Sequence, residues 1–122
     1  MTTPGGHTSA IRVSKVLGTD VQDPSGRKIG EVEDVILDKG SNRIMFAVLS
    51  FGGFMGMGEK YHPVPWGSLD YDDGRNSYVV SYTKEQLQAA PSGSVDELTE
   101  NDGLNFRDRT YAYYKADRYW EQ

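Results

Sequence analysis

The sequence predicts a mainly β protein, a small antiparallel β-barrel with a short helix after the last strand and a C-terminal helical tail. Five or six short apolar segments follow one another at hairpin spacing, and turn-forming residues separate them. The 122 residues suit one core, because two cores would each bury too little apolar surface. We therefore expect a disordered tail over 1–8, a barrel domain over 9–91, a linker over 92–104 and an aromatic helix over 105–122.

The first hairpin is predicted around residues 23–26, where proline presets φ and glycine accepts a positive φ. Residues 19–23 form its first strand and residues 29–38 its second. The apolar positions of the second strand do not alternate strictly, and Gly30 lies near its start, which predicts a bend or bulge. The segment 9–17 is compatible with either a strand or a turn of helix.

The middle of the chain predicts one buried strand and one edge strand. Residues 44–51 are an almost unbroken apolar run that is too short for a typical helix, so we expect the most buried strand there. Pro63 and Pro65 exclude a helix and confine any pairing to a sheet edge or strand end. Farther along, Asp73-Gly74 predicts a final hairpin.

The clearest helical signals lie in the last third of the chain. Thr83 and Gln86 have the spacing of a capping box, and Pro91 ends the short helix that follows, with Leu87 as its anchor. The last segment carries aromatic residues near helical spacing, which predicts a helix with an aromatic face: Phe106, Tyr113, Tyr114 and Trp120.

Composition narrows the range of partners. The formal net charge of -5 disfavours nucleic acid, since binders of phosphate backbones generally carry basic surfaces. The chain has no cysteine, which excludes disulfides and thiolate sites and fits a reducing compartment. We find neither a secretory signal nor an apolar stretch of roughly 18 residues, so we expect a cytoplasmic protein without a membrane span.

Two motifs connect the chain to a known family. They are G-x-K-I-G-x-V-E-D-V over residues 26–35 and F-G-G-F-x-G-x-G-E-K-Y-x-x-V-P-W over residues 51–66. Together with residues 83–91, this region closely resembles PRC-barrel domains. Such domains are similar to the cytoplasmic part of the photosynthetic reaction-centre H subunit and to the C-terminal domain of the ribosome-maturation factor RimM.

The resemblance implies a compact, mainly antiparallel barrel that serves as an adaptor in different assemblies. The reaction-centre subunit has an N-terminal membrane helix and the ribosome factor has a further N-terminal barrel. Only about ten residues precede the matching region here, so we do not expect either specialised role to transfer. A fold shared by several assemblies does not by itself determine the function.

The glycine-rich segment 52–58 does not satisfy the requirements of a phosphate loop. Glu59 separates the last glycine from Lys60, and Tyr61 stands where a serine or threonine is needed. The same segment presents Phe54, Met55 and Met57 among glycines, which suits contact with a partner or a second subunit. We interpret Glu59 and Lys60 as a structural or solvated pair.

The remaining polar residues favour structural interpretations. His62 lacks a nucleophile signature, and Trp66 is interpreted as a packing residue. The acidic groups at 31–34 and 70–73 are expected to be solvated, since the second does not match an EF-hand loop. We therefore expect no catalytic residue, no metal site and no cofactor.

The sequence thus favours a non-enzymatic binding or assembly module that forms a homodimer and has an unidentified protein partner. One alternative is an accessory factor in RNA or ribosome maturation, and a second is a small ligand-binding or enzymatic barrel. The candidate contact residues lie on the glycine-rich loop and the aromatic helix: Phe54, Met55, Met57, Glu59, Lys60, Phe106, Tyr113, Tyr114 and Trp120.

Overall fold

The computed structural model describes residues 8–51 and 60–122. The predictions for residues 1–7 and for Phe54, Met55, Met57 and Glu59 therefore lie outside the described residues. In the two described ranges, six strands form one sheet in the order β4-β3-β2-β1-β6-β5. They are β1 (Asp20–Gln22), β2 (Lys28–Asp38), β3 (Arg43–Ser50), β4 (His62–Pro65), β5 (Asp70–Asp72) and β6 (Ser77–Val79).

The prediction of a closed antiparallel barrel is wrong in two respects. The strands β1 and β6 pair in parallel, so the sheet is mixed. Within the described ranges, no pairing joins the two outer strands β4 and β5, so the sheet is not closed. Turn signals specify the hairpins between consecutive strands, but β1 and β6 are far apart in the chain and no local signal specifies how they pair.

The bend predicted in the second strand is confirmed. Strand β2 pairs with β1 and β3, and the register shifts once against β1 and twice against β3. A Cβ atom at Gly30 would collide with the carbonyl oxygen of Ser50 and would lie 2.9 Å from the Phe51 ring. Glycine at this position therefore lets the end of β3 lie directly against β2.

Strand β3 is the most buried strand described, as predicted. Its residues from Met45 to Leu49 are all buried, and they contribute to two apolar clusters. Ala47 and Leu49 belong to one cluster, whereas Phe46 and Val48 belong to the other. A strand covered on both faces needs apolar side chains at successive positions, which explains the nearly unbroken apolar run.

The two outer strands are short. Pro63 and Pro65 lie in β4. Among the described strands, β4 pairs only with β3, so the predicted edge position is confirmed. The residue before β4, Tyr61, forms an isolated antiparallel bridge with Gly93. At the other edge, β5 and β6 form the predicted hairpin around Asp73-Gly74.

The early helices are brief. The segment whose type was open contains α1 (Val13–Val16). The predicted capping box is confirmed at α2 (Lys84–Ala89), where Thr83 and Gln86 exchange side-chain and backbone hydrogen bonds. Leu87 anchors α2 with a fully buried side chain. Among the described helices, none is long and apolar enough to cross a membrane.

The C-terminal segment departs from the prediction. The expected linker contains 3-10 turns over Asp96–Gly103, which are interrupted by a kink at residues 100–102 and bury Leu98. The expected helix over 105–122 is instead α3 (Leu104–Tyr114) followed by the 3-10 helix Tyr119–Glu121. Helix α3 ends because Lys115 adopts a left-handed conformation with φ 53°. The chain then reverses, and Tyr119 and Trp120 pack against Tyr111.

Candidate binding site

A cleft of about 850 Å³ lies where the start of β3, the turn after β4 and the C-terminal segment meet. Three half-buried aromatic side chains line it, namely Trp66, Tyr82 and Tyr119. Its volume falls within the range of about 300–1,000 Å³ that is typical of ligand sites. Four exposed charged residues surround these rings: Arg43, Asp70, Lys115 and Asp117.

The side of the cleft nearest the sheet depends on the turn after β4. Trp66 begins the 3-10 helix Trp66–Ser68, and its ring packs 5.7 Å from that of Tyr78. The hydroxyl groups of Ser68 and Tyr82 lie 3.1 Å apart and share a hydrogen bond. Because Trp66 also packs on the first apolar cluster, its predicted packing role is confirmed.

The base of the cleft contains a buried phenol. The ring of Tyr114 packs 4.6 Å from that of Tyr82, and its hydroxyl has no hydrogen-bond partner among the described residues. Burial raises the pKa of Tyr114, with smaller contributions from Tyr113 and Tyr82. The phenol is therefore neutral at physiological pH.

Tyr119, which lines the cleft, forms a hydrogen-bonded pair with Asp38. Tyr119 donates its hydroxyl proton to the Asp38 carboxylate at 2.6 Å, and Arg43 donates to the Tyr119 carbonyl at 2.6 Å. Burial raises the pKa of Tyr119, and the hydrogen bond to Asp38 raises it further. The same hydrogen bond lowers the pKa of Asp38. These contacts attach the end of the chain to the β2–β3 turn.

A comparison with protein-family models matches residues 9–87 to the PRC-barrel domain, which is well over half of the chain. The chain belongs to the PRC-barrel domain family. A comparison with curated proteins found no match. The match to the PRC-barrel domain ends inside α2, so Tyr114, Lys115 and Tyr119 lie beyond it. The cleft therefore combines residues of the PRC-barrel region with residues of the added C-terminal segment.

The predicted aromatic face packs within its own chain. Phe106 lies in the second apolar cluster and Tyr114 in the first, and contact of either residue with a partner stays a prediction. Tyr113 is 41% exposed, and its hydroxyl donates to the Gln86 carbonyl at 2.7 Å. Trp120 is half-buried under the Arg107 guanidinium, which lies 3.9 Å from the ring. Contact of Tyr113 or Trp120 with a partner stays a prediction.

The remaining predicted contact residue of the loop, Lys60, is exposed beside β4. It lies near His62, which is buried and packs 4.7 Å from the Phe51 ring. Burial lowers the pKa of His62, and the positive charge of Lys60 lowers it further. The Nδ1 atom of His62 has no hydrogen-bond partner in the described part of the chain. Both effects favour the neutral imidazole over the cation in the folded protein.

Three of the acidic residues singled out in the sequence form local contacts. Glu31 pairs with Lys28 at 3.0 Å, and Glu33 accepts a hydrogen bond from Ser50. Asp72 accepts backbone hydrogen bonds within its turn and lies 3.7 Å from the Arg75 guanidinium. Within 8–51 and 60–122, no group of histidine and acidic side chains is arranged to hold a metal ion.

Sequence reasoning missed most residues of the cleft. Arg43, Tyr82 and Tyr119 each belong to a different segment, and no motif links them. For Trp66, the sequence predicts only a packing role. The one available signal was the aromatic content of the last segment, which predicted burial or contact but not its partners within the chain.

Proposed function

We propose that this PRC-barrel protein is a non-enzymatic binding and assembly module whose cleft receives an extended segment of a partner protein. The observation that carries the proposal is the cleft lined by Trp66, Tyr82 and Tyr119. Tyr and Trp are enriched at protein interfaces, because they combine a large apolar ring with a polar group. Aromatic-lined grooves are also a recurring means of holding extended peptides.

The surroundings of the rings suit a peptide better than a simple apolar ligand. Arg43 and Lys115 provide cations, while Asp70 and Asp117 provide carboxylates, so both signs of charge are available at the rim. The hydroxyl pair of Ser68 and Tyr82 offers a donor and an acceptor to a backbone. Partner identity would then depend on the side chains that flank the bound segment.

A blocking substitution tests the cleft without disturbing the core. Ser81 is exposed and lines the cleft, so Ser81→Trp places a large side chain there. Gln88→Trp introduces the same residue at an exposed position of α2 and is the matched control. Peptides selected from a displayed random library against the natural chain are measured by titration against all three proteins.

We expect the selected peptides to bind the natural chain and Gln88→Trp, and to bind Ser81→Trp at least tenfold more weakly. Equal binding to all three proteins, or failure to select any peptide, would contradict the proposed role of the cleft. Protection of Trp66 fluorescence from a soluble quencher by bound peptide, measured in Trp120→Phe so that Trp66 is the single tryptophan, provides a second readout.

Self-association is the second part of the proposal and has its own test. Phe54 and Met57 provide large apolar side chains on a glycine-rich segment of the sequence. We expect the natural chain to show a dimer mass by light scattering, and the double variant Phe54→Ser, Met57→Ser to show a smaller mass. A monomer at every concentration would contradict self-association.

Two alternatives remain predictions. An accessory role in RNA or ribosome maturation rests on resemblance and is opposed by the net charge of -5. Copurification with ribosomal particles at physiological salt would favour it. A ligand-binding or enzymatic barrel would require small molecules to compete with the selected peptides.

A further inference from the structure

Strand β5 leaves one side of its backbone unpaired within the described residues. It is the last strand of the sheet and pairs only with β6. Asp70 and Tyr71 are exposed, and the Asp70 carboxylate has no hydrogen bond or ion pair to other described residues. Because neighbouring residues of a strand point to opposite faces, the edge presents an acid on one face and an aromatic ring on the other.

The N-terminal segment has a complementary pattern. Residues 8–12 are exposed and form no helix or strand, and the backbone of Arg12 is extended with φ -76° and ψ 141°. Ile11 is 46% exposed, and the Arg12 guanidinium has no partner among the described side chains. Ile11 is apolar and Arg12 is a cation, so the two complement Tyr71 and Asp70 on the edge of β5.

We propose that residues 10–12 of one copy add as an antiparallel strand to the outer edge of β5 of a second copy. This inference rests on the proposed assembly function and names its partner. In this register Arg12 lies opposite Asp70, and Ile11 lies opposite Tyr71. Directly opposite residues share a face of the sheet, so the charged pair and the apolar pair form together.

The position of the segment within the fold favours a reciprocal exchange. Residues 10–12 lead through α1 into β1, which is separated from β5 only by β6. Strand spacing places β1 and β5 roughly 10 Å apart. The donor segment therefore precedes, in the chain, the half of the sheet that contains the acceptor edge, which suits a contact in which both copies use the same patch.

A reciprocal exchange, in which each copy donates its segment to the other, makes the interface larger. A single ladder of three residues is smaller than the interfaces of stable dimers. Two ladders related by a twofold axis double the paired backbone and bring further surfaces together. Strand addition to an exposed edge supplies backbone hydrogen bonds, while charge pairing selects the partner segment.

A charge exchange provides the test. Sedimentation velocity at a series of concentrations is measured for the natural chain, Arg12→Glu, Asp70→Arg and the double variant Arg12→Glu, Asp70→Arg. Lys84→Glu is the control, since it makes the same charge change as Arg12→Glu at an exposed position on α2. We expect each single variant to weaken the dimer at least tenfold and the double variant to restore it.

Three results would overturn the inference. They are a natural chain that is monomeric throughout, single variants that dimerise like Lys84→Glu, and a double variant that does not recover. Amide hydrogen exchange of β5 distinguishes pairing between two copies from pairing within one chain. If the β5 amides exchange slowly at every protein concentration, residues 10–12 pair with β5 of their own chain. A dimer unaffected by Arg12→Glu would overturn this interface while leaving the proposed assembly function intact.

Discussion

Gly30 is a single residue on which the contact between β2 and β3 depends. A methyl group there would meet the Ser50 carbonyl oxygen and the Phe51 ring, both belonging to the end of β3. Neither the backbone of a central strand nor a buried ring can move freely. At Gly67, by contrast, an added Cβ would have no atom within 4 Å.

We predict that Gly30→Ala lowers the free energy of unfolding by about 1–3 kcal/mol, as overpacking typically does. The matched variant Gly67→Ala should change it by less than about 0.5 kcal/mol, which is usual for surface positions. Urea denaturation followed by fluorescence measures both values. Equal effects of the two variants would contradict the close packing at Gly30.

His62 makes stability depend on pH. Its pKa in the folded chain lies below the ordinary value of 6.5, because burial and Lys60 both disfavour the cation. As pH falls through 6.5, the unfolded chain binds a proton that the folded chain does not bind. Stability due to this residue is therefore complete above pH 6.5 and is lost as pH falls, until the folded histidine also becomes protonated.

We predict that the natural chain loses more stability than His62→Phe between about pH 7 and about pH 5, the interval in which histidine titrates. Phenylalanine preserves the ring contact with Phe51 but cannot be protonated. Urea midpoints at the two pH values give the comparison. Lys60→Met should reduce the loss, and identical pH profiles for the natural chain and His62→Phe would contradict the prediction.

At the scale of elements, one buried tyrosine hydroxyl group links α3 to the sheet. Tyr111 donates to the Met45 carbonyl at 2.6 Å in a buried position, and its ring packs against Phe46. Burial raises the pKa of Tyr111 to about 12, so its hydroxyl keeps its proton. Tyr113 makes a similar bond to Gln86 of α2, but at an exposed position.

We predict that Tyr111→Phe lowers the free energy of unfolding by about 1–3 kcal/mol, since it removes a buried hydrogen bond to the Met45 carbonyl. Tyr113→Phe should cost about 0.5 kcal/mol or less, because water replaces the lost donor. Denaturation at pH 7 measures both values. A larger effect for Tyr113→Phe would show that α3 is held mainly through α2.

At the scale of the whole molecule, the C-terminal segment completes the core. Leu98, Phe106 and Tyr111 form one apolar cluster with residues of the sheet. The sheet residues in that cluster are Ile36, Met45, Phe46 and Val48. Without residues 104–122, part of this apolar face would be exposed to water.

We predict that a chain ending after Gly103 loses cooperative unfolding and binds a hydrophobic dye, whereas a chain ending after Ala116 stays folded with reduced stability. The second variant keeps α3 but lacks Tyr119 and Trp120, so it is the control for shortening the chain. Near-ultraviolet circular dichroism and dye fluorescence distinguish the two. A stable, cooperative chain ending after Gly103 would contradict this account of the core.

The sequence by itself determined the local elements of this protein. Turn residues predicted the hairpins, the lack of strict alternation together with Gly30 predicted the bend, and the apolar run predicted the most buried strand. Proline placed β4 at an edge, and Thr83 with Gln86 marked the start of α2. These predictions were correct because their signals depend on residues that are close together in the chain.

The tertiary structure alone decided how these elements combine. The parallel pairing of β1 with β6 and the reversal at Lys115 required contacts between distant segments. The cleft arises because Trp66, Tyr82 and Tyr119 are brought together from different parts of the chain. The free energy of such contacts comes from burial shared among distant residues, so no local pattern in the sequence can specify them.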